Sequence, residues 1–228
     1  MKKTELITTL ANSKTKKNKD KDKDKEVAPY FILSPSSDES PKLRMIGLYE
    51  DLNNEKVGDI CTAFLALKEM GRREIYEDPE DFQSPIKEIV YDPIDFYIST
   101  PGGLALGMFA VYDVMRMIRE DCEIRTYGFG RVMSAGVLLL ASGTRGKRKI
   151  GKNCRVMLHA VAGGNWGPIY NLENEMEEIR WIQEQYTQAL VNETHLTKKH
   201  IKKMLDRKMD VYLNAQQAVE YGIADEII

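Results

Sequence analysis

The stretch "EIRTYGFGRVMSAGVLLLASG", Glu123 to Gly143, decides the fold. Its first eight residues read as a strand, and the run that follows is too apolar for a surface helix. "SAGVLLLASG" therefore reads as a buried helix that begins at Ser134 and is closed by Gly143 in the C-cap position. A strand feeding directly into a buried helix is the repeating unit of an α/β protein. The same plan recurs on either side. "RMIGLY" reads as a strand, and Val57, Ile60, Cys61, Phe64 and Leu67 then recur at helical spacing. "IDFYIST", Ile94 to Thr100, reads as a buried strand, broken by "PGG" and followed by a helix carrying Val111, Val114, Met115 and Ile118. "CRVMLH" is a further strand ending at His159. Beyond it Leu172, Met176, Ile179, Ile182, Tyr186 and Leu190 form one stripe of a long amphipathic helix. Asn214 and Gly222 are placed to cap and to end a short last helix. Between the first helix and "IDFYIST", the acidic, proline-punctuated "YEDPEDFQSPIKEIVYDP" reads as an excursion with one hairpin.

Composition bounds the rest. The chain has 228 residues, 43% of them hydrophobic, which suits one substantial core. "NSKTKKNKDKDKDKE", Asn12 to Glu26, has almost no apolar side chain to offset the entropy of ordering, and Pro29, Pro35 and Pro41 follow it. Residues 1–43 are expected to be a disordered charged tail and linker, and residues 44–228 the folded domain. Formal net charge is −2 and Asp20, Asp22 and Asp24 interrupt the lysines, so no nucleic-acid partner is expected. No run approaches the roughly 20 apolar residues of a membrane span, and no signal-peptide core opens the chain. The expectation is a soluble, intracellular protein without a membrane partner. Cys61, Cys122 and Cys154 are odd in number and lack metal spacing, which points to buried thiols and no metal. "GKRKIGKN", Gly146 to Asn153, has the glycine and lysine spacing of a P-loop. Asn153 stands where Ser or Thr should hold Mg²⁺, and a strand follows where a helix should start, so no nucleotide site is read there.

A hydroxyl at the mouth of a buried helix asks for a reason. Locally, Ser134 is an N-cap, the commonest work of a helix-starting serine. The same position has unpaired N–H groups and the positive end of the helix dipole, which favour the negative charge that develops on an attacked carbonyl. A nucleophile needs a base, and the chain has three histidines. His195 and His200 lie in the lysine-rich "THLTKKHIKK", whereas His159 ends an apolar strand before a loop of small residues. For the orienting acid, spacing alone leaves Asp206 and Asp210 open.

From Phe96 to Ile228 the chain resembles the proteolytic subunit of the Clp protease, ClpP. "YISTPGG" with "YDVM" resembles the family's Y-I-N-S-P-G-G and Y-D-T-M, and "GRVMSAGVLLLASGTRGKR" its G-x-A-A-S-M-G-A-x-L-L-x-A-G-x-x-G-K-R. "NCRVMLHAVAGGNWG" is similar to N-S-R-V-M-I-H-Q-P-x-G-G, and "DVYLNAQQAVEYGIAD" to D-x-F-L-S-A-x-E-A-x-E-Y-G-L-V-D. Four blocks stand in the same order.

The resemblance implies a serine peptidase in which Ser134 is the nucleophile, His159 the general base and Asp210, which directly precedes the "VYLNA" block, the orienting acid. Gly103 and Ala135 would offer oxyanion-hole N–H groups, with glycine at 103 sparing the substrate carbonyl a Cβ. It implies a ClpP/crotonase-like spiral of β-β-α units with a protruding strand-plus-helix handle, here Gly163 to Asn192. Heptameric rings of this chain would stack in pairs around a chamber, and a hexameric AAA+ Clp ATPase of the ClpX, ClpA or ClpC type would feed in unfolded polypeptides. ATP would be used by that partner, with no cofactor in this chain, in the cytoplasm or in a plastid stroma. Two other readings go with the same motifs: a protease of this fold used for phage capsid maturation or self-processing without an ATPase, and a non-catalytic ring subunit. Departures from the pattern are the long N-terminal tail, the acidic excursion before Ile94, and "HAVAGG" in place of H-Q-P, which removes a proline two residues after His159.

Overall fold

A parallel sheet is assembled from strands that lie far apart in the chain. The computed structural model describes residues 43–228 apart from 82, 164–167 and 206–208. The tail and linker expected over residues 1–43 therefore lie outside the described residues, Leu43 excepted. Described are β1 (Met45–Leu48), α1 (Asn54–Met70), β2 (Arg72–Tyr76), β3 (Ile86–Tyr91), β4 (Ile94–Thr100), α2 (Ala105–Ile118) and β5 (Ile124–Met133). They continue with α3 (Ala135–Ala141), β6 (Arg148–Ile150), β7 (Arg155–Leu158), α4 (Ile169–Glu193), α5 (Lys198–Leu205), β8 (Val211–Leu213), α6 (Ala215–Glu220) and β9 (Glu226–Ile227). The main sheet runs β1-β4-β5-β6-β9 in parallel, with β7 added to β5 and β8 added antiparallel to β7. This mixed α/β architecture is the expected class. No helix among the described residues is long and apolar enough to cross a membrane.

Each element follows from its residues. In α1, Asn53 caps the first turn by accepting from the Lys56 N–H at 2.9 Å, and Phe64 meets Phe96 of β4 edge-on with ring centroids 5.2 Å apart. The four side chains from Val137 to Leu140 in α3 are fully buried. At about 1.5–3 kcal/mol each, they fix this seven-residue helix where its intrinsic propensity could not. Asn214 and Gln217 close a reciprocal capping box on α6, and Gly222 follows that helix with φ +71°. The acidic excursion is the hairpin β2–β3, paired from Arg72↔Tyr91 to Tyr76↔Ile86 and separate from the main sheet. The segment with P-loop spacing runs from β6 into β7, with no helix after it.

Three readings need correction. Gly143 is not the C-cap of α3: the helix ends at Ser142 in a right-handed conformation. Arg148 and Arg119 donate to the carbonyls of Ala141 and Ser142 at 3.2 and 2.8 Å, so cationic side chains finish the helix instead of a left-handed glycine. Gly143 is needed because a Cβ there would stand 2.5 Å from Thr126 Oγ1. The stripe on α4 is buried only in its C-terminal half, at Ile182, Tyr186 and Leu190; Met176 is exposed, as are Ile169, Tyr170 and Trp181. Of the cysteines, Cys122 and Cys154 are buried and Cys61 only partly so. Burial pushes the Cys154 thiol up to about 11.

A buried polar network ties the helix ends together. Arg148 forms a two-pronged ion pair with Asp225 and donates to the Glu193 carbonyl, while Arg119 grips the Glu193 carboxylate and Tyr112 donates to it. Burial raises the Asp225 carboxyl, but its hydrogen bonds with Arg148 outweigh this and hold it below its usual range. For Glu193, burial is likewise outweighed by Arg119 and Tyr112. The Tyr112 phenol is pushed up to about 12, by burial first and then by Glu193.

Candidate active site

The site forms where β5 hands its edge from one partner to another. The first half of β5 pairs with β6 through Thr126–Gly128, and the second half with β7 through Arg131–Met133. Gly130 has φ +60° at the change, and the β4–β5 register slips between Ile98 and Thr100. The chain then turns at Ser134 from strand into α3.

Ser134 is the only described residue other than glycine with positive φ, at φ 52° and ψ −119°. An L-residue in this region is strained. Ser134 occupies the N-cap position, yet its Oγ makes no capping hydrogen bond. Its backbone is held instead: the N–H donates to Met157 O at 2.8 Å, and the carbonyl accepts from Val137 N–H at 3.0 Å and from the Tyr186 hydroxyl at 3.1 Å.

Strand register brings the other two candidates to the same end. β5 and β7 are parallel with Met133 beside Met157, and β7 and β8 are antiparallel with Leu158 opposite Val211. Ser134 directly follows β5, His159 directly follows β7 and Asp210 directly precedes β8. The three candidates thus occupy the adjoining ends of three neighbouring strands. Ser134 and His159 are half-buried and Asp210 is exposed. Among the described residues, no hydrogen bond joins their side chains; such contacts commonly tighten only when substrate is bound. Asp206 lies outside the described residues. His195 and His200 are exposed on the segment entering and opening α5.

The "PGG" turn packs against Ser134 through Gly102. Thr100, fully buried, donates from Oγ1 to Glu50 O at 2.6 Å and accepts from Gly102 N–H at 3.0 Å. Leu52 and Gly103 form a parallel bridge, with Leu52 N–H to Gly102 O at 2.7 Å and Leu104 N–H to Leu52 O at 2.9 Å. These bonds leave the Gly103 N–H without an acceptor among the described residues. Ala135, first residue of α3, is in the same position. Two unspent backbone donors therefore lie in the residue after Ser134 and in the residue after Gly102, which packs against the serine.

Glycine at 103 also has a reason inside the fold. A Cβ there would lie 2.3 Å from Leu52 O, so the crossing backbone of Leu52 excludes a side chain before any substrate does. Gly102, which sequence reasoning passed over, is the glycine that faces the serine. With φ +114°, its missing Cβ would lie 2.6 Å from Ser134 Cβ and 3.1 Å from Oγ. Thr100 was passed over too; the threonine at the end of an apolar strand was its only local signal. Among the described residues, no group of three or more His, Cys, Asp or Glu is arranged to hold a metal ion.

Chemically, the arrangement offers a hydroxyl on a strained turn, an imidazole and a carboxylate at adjoining strand ends, and paired N–H donors. That set suits attack on a carbonyl carbon. Compared with known proteins, residues 87–228 match a family model described as Clp protease. The match begins inside β3 and takes in all five candidate residues.

Proposed function

This chain belongs to the Clp protease family, and from that membership we propose that it is a serine endopeptidase, the proteolytic subunit of a ring-shaped, ATP-dependent Clp-type protease. The family makes it a peptidase, hence a hydrolase. Residues 44–228 form the peptidase domain, in the cytoplasm or a plastid stroma. The observation that supports the reading is that Ser134, His159 and Asp210 stand at the adjoining ends of β5, β7 and β8.

In this reading Ser134 Oγ attacks the scissile carbonyl while His159 takes its proton. Gly103 and Ala135 N–H groups hold the oxyanion, and Asp210 orients the imidazole and stabilises it when charged. His159 then passes the proton to the leaving amine. Water enters by the same general-base route and releases the acyl chain from Ser134. Extended, unfolded polypeptide is the substrate class, bound through main-chain hydrogen bonds to a strand edge with little demand on sequence. Two stacked heptameric rings of the chain enclose the sites, and an AAA+ Clp ATPase of the ClpX, ClpA or ClpC type supplies substrate and uses the ATP.

Casein degradation with and without a Clp ATPase and ATP tests this directly. Degradation that needs both supports the proposal. ATPase-independent cleavage would point to maturation or self-processing, and no cleavage of casein or short peptides to a structural ring subunit. Particle mass in solution tests assembly, which an active monomer would contradict.

A further inference from the structure

The long helix α4 touches the candidate site at two places, and neither contact is used in the chemistry above. Ile179, Gln183 and Tyr186 recur at helical spacing on one face. Ile179 meets the loop that follows His159: a Cβ on Gly163 would lie 2.7 Å from Ile179 Cδ1. Gln183 Oε1 accepts the Val161 N–H at 2.7 Å, two residues beyond His159, while its buried Nε2 has no partner among the described residues. Tyr186 is buried and donates to the Ser134 carbonyl at 3.1 Å.

From these contacts we infer that Tyr186 and Gln183 are positioning residues of the peptidase, one holding the nucleophile's turn and the other the loop that carries the base; the inference rests on the assignment of Ser134 and His159 proposed above. Ser134 sits at φ 52°, a conformation that persists only where the surroundings over-determine it. Three backbone hydrogen bonds do so: to Met157, from Val137 and from Tyr186. Val137 belongs to the helix that Ser134 opens, and Met157 to the neighbouring strand β7. Tyr186 alone reaches it from another element by a side chain, so it sets how the serine turn sits against α4.

Gln183 works on the other side of the site. Proline in the H-Q-P pattern would fall at Val161, where it would restrain the loop through its ring and have no N–H to give. Here Val161 keeps its N–H, and Gln183 takes it up. The amide oxygen meets that N–H at 2.7 Å, a bond that a side chain without an acceptor could not make. One helix face thereby sets both partners of a proton transfer whose rate depends steeply on their alignment.

Tyr186→Phe removes only the hydroxyl and Gln183→Met only the amide. With the full chain on a short fluorogenic peptide, each variant is expected to lower kcat about fivefold to tenfold with KM within twofold of wild type. Fluorophosphonate labelling of Ser134 should slow by the same factor in Y186F, with melting temperature and particle mass retained. Wild-type labelling and kcat in Y186F would overturn the inference. So would a rise in KM at unchanged kcat, or lost activity accompanied by lost particle mass, which would make Tyr186 a packing residue. Failure of the underlying assignment looks different: Ser134→Ala would then still be labelled, whatever Y186F does.

Discussion

Replacing Ser134 separates its chemistry from its strain. At φ 52° and ψ −119° the residue occupies a region that costs an L-amino acid about 1–3 kcal/mol and glycine almost nothing. Ser134→Ala keeps the Cβ and hence the strain, whereas Ser134→Gly relieves it. Glycine gives back about 0.5–1 kcal/mol through the greater entropy of its unfolded chain. Neither change leaves a polar group unpaired, because Oγ makes no capping bond in the wild type. The glycine variant should therefore be about 1 kcal/mol more stable than the alanine variant. For a domain of this size that is about 2–4 °C in melting temperature, measured at one protein concentration because assembly itself shifts the midpoint. Both variants should lose fluorophosphonate labelling completely. A glycine variant no more stable than the alanine variant would refute the claim of stored strain. Labelling of either would remove Ser134 from the role of nucleophile.

Further outcomes test the neighbours of that serine. Asp210→Asn should lower peptidase kcat by roughly 10³–10⁴-fold and Asp206→Asn far less, since only a carboxylate that orients the imidazole governs its tautomer; steady-state kinetics showing the reverse order would move the acid to Asp206. Gly102→Ala puts a Cβ 2.6 Å from that of Ser134 at φ +114°, so activity should fall more than about 100-fold with a stability loss of about 1–3 kcal/mol, read by peptide hydrolysis and urea unfolding. Asp225 is held below its ordinary range in the folded chain, so its contribution is fully present above the unfolded value, near pH 4, and is lost as pH falls through the folded value. Urea melts of Asp225→Asn should accordingly show a deficit at pH 7 that shrinks below about pH 4; a constant deficit across that range would detach the effect from ionisation.

Much of this architecture was legible in local pattern. Helical spacing of Val57, Ile60, Phe64 and Leu67 marked α1, and the apolar run of "IDFYIST" marked β4. Asn214 and Gly222 bounded α6 because capping needs only residues a few positions apart. The short elements were less visible. β6 and β9 have three and two residues, and α5 lies in a lysine-rich segment whose apolar face is the pair Ile201 and Leu205. Each acquires its structure from partners elsewhere in the chain. The exposure of Met176 on α4 escaped the pattern for the same reason: periodicity marks an apolar face and cannot say where along its length a partner stops.

The amino-acid sequence by itself determined the α/β class, the strand-to-helix turn at Ser134 and, through four motifs in order, the family and its candidate residues. Those are properties of near neighbours and of residue order, which a linear pattern contains. Only the tertiary structure decided that Ser134 leaves its Oγ uncapped on a strained turn, and that Leu52 dictates the glycine at 103 while Gly102 faces the serine. It likewise decided that Thr100 is pinned to Glu50, 50 residues away, and that Tyr186 and Gln183 reach the site from α4. These contacts depend on strand register and helix packing, which are set by burying the whole core at once.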